Sequence, residues 1–238
     1  MADKRLLLLS NSTSPDGRFL EPYADEFKGF LGTGVRRVLF VPFAGVIRSF
    51  EDYTALVRAR FEAMGYELES VHETADPNRA VESAEAIAVG GGNTFQLLRG
   101  LYESGLIESI RARVEKGLPY VGWSAGSNVA CPTIKTTNDM PIVEPPGLKA
   151  LGLIPFQINP HYTDEHPSGH QGETRAQRIQ EFLKVNPGTY VVGLREGSGL
   201  RVEGSALTLL GDKPARVFLE GAQATEHEPG DSLQFLLG

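Results

Sequence analysis

The segment Tyr120-Val121-Gly122-Trp123-Ser124-Ala125-Gly126 decides how the rest of the chain is read. A short apolar run enters a turn of small residues, and a helix-compatible stretch follows. A serine in that setting sits on a sharp strand-to-helix turn with its hydroxyl exposed, the context of a nucleophile elbow. Gly122, Ala125 and Gly126 let strand and helix approach closely. The Ala125 N–H would then face a developing oxyanion at the helix N-terminus. The plainer reading is a glycine-rich turn closed by a capping serine, since the pentapeptide alone recurs by chance.

Outward from this turn, short apolar runs alternate with amphipathic ones. Arg5–Ser10, Val35–Pro42, Glu67–His72, Ala86–Val89, Tyr120–Gly122, Gln157–Ile158 and Tyr190–Leu194 read as strands, several buried on both faces. The clearest helix carries Phe50, Tyr53, Val57, Phe61 and Met64 on one face. Ser49 is its N-cap, Asp52 follows three residues on, and Gly65 lies just past its end. A second begins at Thr174 with Gln177 completing a capping box, and turns Ile179, Phe182 and Leu183 inward. Weaker helical patterns cover Asn93–Glu103, Leu106–Lys116 and the residues after Ser124. Strand and helix in alternation imply an α/β fold, a mostly parallel sheet flanked by helices. Beyond Ser198 the runs Leu200–Glu203 and Ala206–Leu210 read as a few C-terminal antiparallel strands of the same domain, so residues 1–238 are expected to form a single domain.

Composition narrows the function. The 238 residues are 41% hydrophobic and 22% charged, and the net charge is −7. That is an ordinary globular chain whose charge disfavours broad binding to nucleic acid or to anionic membranes. The lone cysteine, Cys131, excludes an internal disulfide and any cysteine-based zinc cluster, and no other compact metal-ligand set stands out. Leu6 to Leu9 is too short for a signal peptide or a membrane span. A cytoplasmic protein without metal or cofactor is the expectation.

A serine nucleophile needs a base. Of five histidines, His161 is best placed, in Asn159-Pro160-His161 where a strand should end, within reach of a neighbouring elbow. His166 and His170 fall in a polar loop, His72 stands alone, and His227 is in the acidic tail. The carboxylate that orients the imidazole is either Glu196, just past the strand Tyr190–Leu194, or Asp139, in the polar loop Thr136-Thr137-Asn138-Asp139-Met140-Pro141. Both orders are chemically acceptable because a triad is defined by geometry. The strand-end position favours Glu196, whose alternative is an exposed turn glutamate. Gly90-Gly91-Gly92-Asn93-Thr94 follows the strand Ala86–Val89. Asn93 can cap the next helix, and Gly91 or Gly92 can supply a second oxyanion donor and admit a ligand to the backbone. The run lacks the Lys-Ser/Thr of a phosphate loop.

Several segments, taken in order, resemble the peptidase E family of serine peptidases. They are LLLLSNST (6–13), VPFAGV (41–46), VGGGNTFQLL (89–98), GWSAG (122–126), CPTIKTTNDMPIV (131–143), QINPH (157–161), GETR (172–175) and GLREG (193–197). The resemblance implies a fold like that of the class I glutamine amidotransferases, with serine in place of cysteine. It implies hydrolysis of dipeptides with N-terminal aspartate, Asp-X, through a Ser-His-Glu triad on Ser124, His161 and Glu196. Asp139 is carried as the competing third member, and Gly92 and Ala125 become the oxyanion donors.

Specificity for aspartate requires a cation facing its side chain. Arg175, at the start of its helix, is the candidate and Lys135 the runner-up, with Asp139 or Glu173 to hold the α-ammonium group. Gly91 and Asn93 would also touch the substrate. The expected partner is a small peptide, and a homodimer is compatible with the resemblance. Two rivals stand beside it: a cyanophycinase-like or isoaspartyl peptidase, and a non-enzymatic binding module, which would need His161 or both carboxylates out of reach of Ser124.

Overall fold

The computed structural model describes residues 4–165 and 171–238; His166 and His170 lie outside the described residues. Its first half runs β1 (Arg5–Leu9), α1 (Ala24–Leu31), β2 (Arg37–Val41), α2 (Phe50–Ala63), β3 (Glu67–Ser70), α3 (Pro77–Ser83) and β4 (Ala86–Val89). Two consecutive helices, α4 (Thr94–Glu103) and α5 (Leu106–Glu115), lead to β5 (Tyr120–Trp123) and α6 (Ala125–Val129). After a long connection come β6 (Gln157–Pro160), α7 (Arg175–Val185) and β7 (Val191–Leu194). The chain closes with β8 (Ser198–Glu203), β9 (Ala206–Gly211), β10 (Ala215–Phe218) and β11 (Thr225–His227).

The strands form two sheets. In the larger, ordered β3-β2-β4-β5-β1-β8-β9, the first five strands are parallel and β8 and β9 antiparallel. The smaller, β11-β10-β7-β6, pairs β6 parallel to β7 and adds β10 and β11 antiparallel. The sequence pattern alone implied one sheet. Because β8 occupies the free edge of β1, β6 and β7 pair with each other instead.

The leucine run shows why the larger sheet is central. Successive side chains of a strand point to opposite faces. Leu6 and Leu8 enter one core cluster, Leu7 and Leu9 the other, and none is more than 1% exposed. Each such burial is worth roughly 1.5–3 kcal/mol against exposure. The cluster holding Leu6 and Leu8 also takes Ile158, Val192 and Leu194 of the smaller sheet, so one apolar core serves both.

Caps close the predicted helices where the sequence placed them. Ser49 Oγ accepts the Asp52 N–H at 3.0 Å, and α2 buries Tyr53, Val57 and Phe61. Thr174 and Gln177 form the reciprocal capping box of α7, at 3.2 and 2.8 Å. The parallel strands β1, β4 and β5 end on the same side, and Ser10 joins that side to the smaller sheet. Its hydroxyl donates to Leu194 O at 2.7 Å, its N–H to Ser198 O at 3.0 Å.

Candidate active site

Between β5 and α6 the backbone turns at Ser124 with φ 52° and ψ −112°, a conformation that non-glycine residues rarely adopt. The turn is held by its neighbours. Ser124 N–H donates to Leu9 O at 3.0 Å, and the Ser127 hydroxyl bonds both Leu9 O and Gly122 O at 2.7 and 2.9 Å. Gly126 passes so close to β4 that a Cβ there would lie 2.1 Å from Val89 O. The small residues of the pentapeptide are therefore a packing requirement, and they leave the Ser124 side chain directed away from the core. Trp123 is fully buried, stacked on Phe40 with ring centroids 6.0 Å apart.

His161 follows β6 and also has a positive φ, 55°. Its backbone N–H donates to Ser10 Oγ at 2.9 Å, so the serine that joins the two sheets also fixes the histidine. Nε2 of His161 lies 2.8 Å from Ser124 Oγ, and Nδ1 lies 2.6 Å from Glu196 Oε1. The pairing assigns the Nδ1 proton toward the carboxylate, leaving Nε2 as acceptor for the serine hydroxyl.

Glu196 stands at the tip of a turn after β7, its side chain 60% exposed. The turn is tied on both sides. Gly197 N–H donates to Asn11 Oδ1 at 2.9 Å, and Ser198 N–H to Arg195 O at 3.1 Å. Arg195 donates to Pro214 O and Glu226 Oε2, both at 2.8 Å, pairs with Asp164, and lies over the Tyr162 ring at 5.4 Å. The hydrogen bonds it donates to Glu226 raise the Arg195 pKa, against the opposing effect of burial.

Asp139 goes elsewhere. Its Oδ2 accepts the N–H and hydroxyl of Thr94 at 2.7 and 2.5 Å, and the Thr137 hydroxyl at 3.2 Å. It thus caps the first turn of α4 and makes no hydrogen bond to His161 among the described residues. The loop carrying it is strapped to β6: Asn138 Nδ2 donates to Pro160 O at 2.7 Å and Asn159 Nδ2 to Asn138 Oδ1 at 2.8 Å.

The glycine run ends β4 against the elbow. A Cβ on Gly91 would lie 3.0 Å from the Ser124 Cβ, and one on Gly92, with φ 138°, would lie 2.3 Å from Ala44 O. The Gly91 N–H faces the Tyr53 hydroxyl. Those of Gly92 and Ala125 have no protein acceptor among the described residues. Asn93 spends its side chain on structure: Oδ1 accepts the Gln96 N–H at 3.0 Å and Nδ2 donates to Met140 O at 2.9 Å. Arg175 and Lys135 line a cavity of about 170 Å³ with Asp139, Asn159 and Arg178, whereas Ser124 and His161 line a separate one of about 870 Å³. Burial and the charge of Arg178 lower the Arg175 pKa, and Asp139 opposes them. Glu173 pairs with Arg178 at 3.7 Å.

Residues 6–210 match peptidase family S51. The chain belongs to that family. Peptidase E of Nostoc sp. is 50% identical over 234 residues, 98% of this chain and 97% of the relative. Peptidase E of Streptomyces coelicolor is 50% identical over 233 residues, 98% and 94% of the two chains. As an S51 member, the protein is a serine-type peptide hydrolase. In fold it is similar to a peptidase from an acI-B1 Actinobacterium, at TM-score 0.71 and 18% identity over 97% of this chain and 96% of the other. A Listeria monocytogenes protein described as a putative peptidase E gives 0.65 and 22% over 88% and 99%. The S51 match spans β1 to β9 and takes in Ser124, His161 and Glu196, while β10 and β11 lie beyond it.

The sequence reading missed the residues that hold the S51 site together. Ser10 and Asn11, in LLLLSNST, fix His161 and the Glu196 turn. The position of both just past a buried strand was the available signal. Arg195 and Tyr53 carried none, because their partners are distant in sequence.

Proposed function

We propose that the chain, folded as one domain, is a cytoplasmic dipeptidase that removes N-terminal aspartate from Asp-X, with Ser124 as nucleophile, His161 as base and Glu196 as its orienting carboxylate. The observation that carries this is the continuous chain of contacts from Ser124 Oγ through His161 to Glu196, at 2.8 and 2.6 Å. Ser124 Oγ attacks the aspartyl carbonyl as His161 Nε2 takes its proton. Backbone N–H groups of Gly92 and Ala125 receive the oxyanion. His161 then protonates the leaving amine, and water, deprotonated by the same imidazole, releases aspartate from the serine ester.

Support for the aspartate preference is electrostatic. Arg175 and Lys135 bring positive charge to the cavity beside the Asp139 loop in a chain of net charge −7. Guanidinium binds carboxylate bidentately. The triad distances weigh against a binding module, and whole-length relatives named peptidase E do not favour the β-aspartyl alternative. Among the described residues no helix is long and apolar enough to cross a membrane.

The test is initial rates on Asp-Leu, Glu-Leu and β-Asp-Leu. Rapid cleavage of Asp-Leu alone supports the proposal. Selective cleavage of β-Asp-Leu replaces it with an isoaspartyl peptidase.

A further inference from the structure

The cavity of about 870 Å³ beside the nucleophile has a chemical character of its own. Ser124 and His161 line it, and Ala44, Val46, Ile47 and Ile142 supply apolar walls. Ile47 is fully exposed, and Val46 and Ile142 are at least half exposed, so the rim presents apolar surface that nothing among the described residues covers. Such surface beside a reactive group is where a ligand side chain gains by burial.

One charge interrupts these walls. Among the described residues lining the cavity, Arg48 carries the only permanent charge, although the protein has 30 acidic side chains. Its guanidinium lies over the Tyr53 ring, 5.8 Å from the centroid, and forms no ion pair among the described residues. Burial pushes the Tyr53 hydroxyl up to about 12, so that neighbour is neutral. An arginine braced on an aromatic face, with no ion-pair partner among the described residues, is available to an anion of the ligand.

The proton path bears on which end of the peptide this cavity receives. The leaving amine must depart beside the imidazole that protonates it, and His161 lines this cavity and not the smaller one holding Arg175. We infer that this cavity is the leaving-group subsite: its apolar rim receives the side chain of X, and Arg48 binds the free C-terminal carboxylate of the dipeptide. Resting on the Asp-X proposal, this adds a reason for a dipeptide limit, because a longer peptide carries its terminal carboxylate too far away. It also predicts apolar X over small polar X.

The experiment compares kcat and KM for Asp-Leu, Asp-Leu amide and Asp-Ser, in wild type and Arg48→Gln. Removing a charge-assisted hydrogen bond costs roughly tenfold or more in binding. Wild type should therefore prefer Asp-Leu over its amide by about that factor, and over Asp-Ser similarly from lost apolar burial. Arg48→Gln should raise KM for Asp-Leu and close the gap to the amide, leaving the amide's own rate within about twofold. An unchanged acid-to-amide ratio in Arg48→Gln overturns the Arg48 assignment while Asp-Leu cleavage still upholds the Asp-X proposal. With Glu-Leu assayed alongside, loss of Asp-Leu over Glu-Leu discrimination in that variant also overturns it, by placing Arg48 on the aspartate side chain. Failure of wild type to cleave any Asp-X peptide removes both.

Discussion

Ser124 and His161, whose side chains meet at 2.8 Å, are two of only three non-glycine residues with positive φ among the described residues, at 52° and 55°. Left-handed backbone at a side-chain-bearing residue costs on the order of 1–3 kcal/mol and persists only where surroundings impose it. Here each is imposed from β1: Leu9 O holds the Ser124 N–H, and Ser10 Oγ holds that of His161. One strand end thus positions both partners.

The two carboxylates separate by substitution. Glu196→Gln should lower kcat on Asp-Leu by roughly 10²-fold with the folded state little changed. That is less than the ~10⁴ of a fully buried triad aspartate, because an exposed carboxylate is screened by water. Asp139→Asn weakens the cap on Thr94 and should instead cost about 1 kcal/mol of stability. Steady-state kinetics with thermal melts on both variants check this; the reverse pattern would move the orienting role to Asp139.

Gly92→Ala should be damaging twice over. Its Cβ meets Ala44 O at 2.3 Å and its φ of 138° disfavours any side chain. Displacing that N–H should cost roughly 10²-fold in kcat, the loss expected for one oxyanion donor. Rates on Asp-Leu, read alongside circular dichroism to establish folding, measure it.

Much of this was legible in sequence, and the exceptions have physical causes. Ala86–Val89 matches β4 residue for residue, and α2 begins at its predicted cap, because a buried run and a cap are local signals. Helix α1 escaped notice since its eight residues include Gly29, and α3 since its seven begin with Pro77, although Asp76 caps it at 3.0 Å. The four-stranded sheet was invisible because pairing partners are a long-range property. Glu196 could be named but not separated from Asp139, since only folding shows that Thr94 takes the latter.

Cys131 should be inert in the native protein. Burial raises its thiol pKa to about 12. The unfolded thiol ionises near ~8.5, so between these values the folded chain keeps the proton that the unfolded chain releases, and stability falls as pH rises through that window. Iodoacetamide at pH 8 should leave the folded protein unlabelled by mass spectrometry and modify it only after denaturation.

Tyr53→Phe removes the acceptor of the buried Trp123 indole N–H, now 3.0 Å away. An orphaned buried donor costs about 1–3 kcal/mol. A lower denaturant midpoint with an unchanged slope is expected, followed by tryptophan fluorescence, for which Trp123 is the sole reporter.

The most direct test is hydrolysis of Asp-Leu by wild type and Ser124→Ala at equal concentrations of folded protein. Loss of the nucleophile should lower kcat by roughly 10⁴-fold or more, with the melting temperature retained. Equal rates in the two proteins would show that Ser124 does not attack the peptide, and the triad assignment would fall with it.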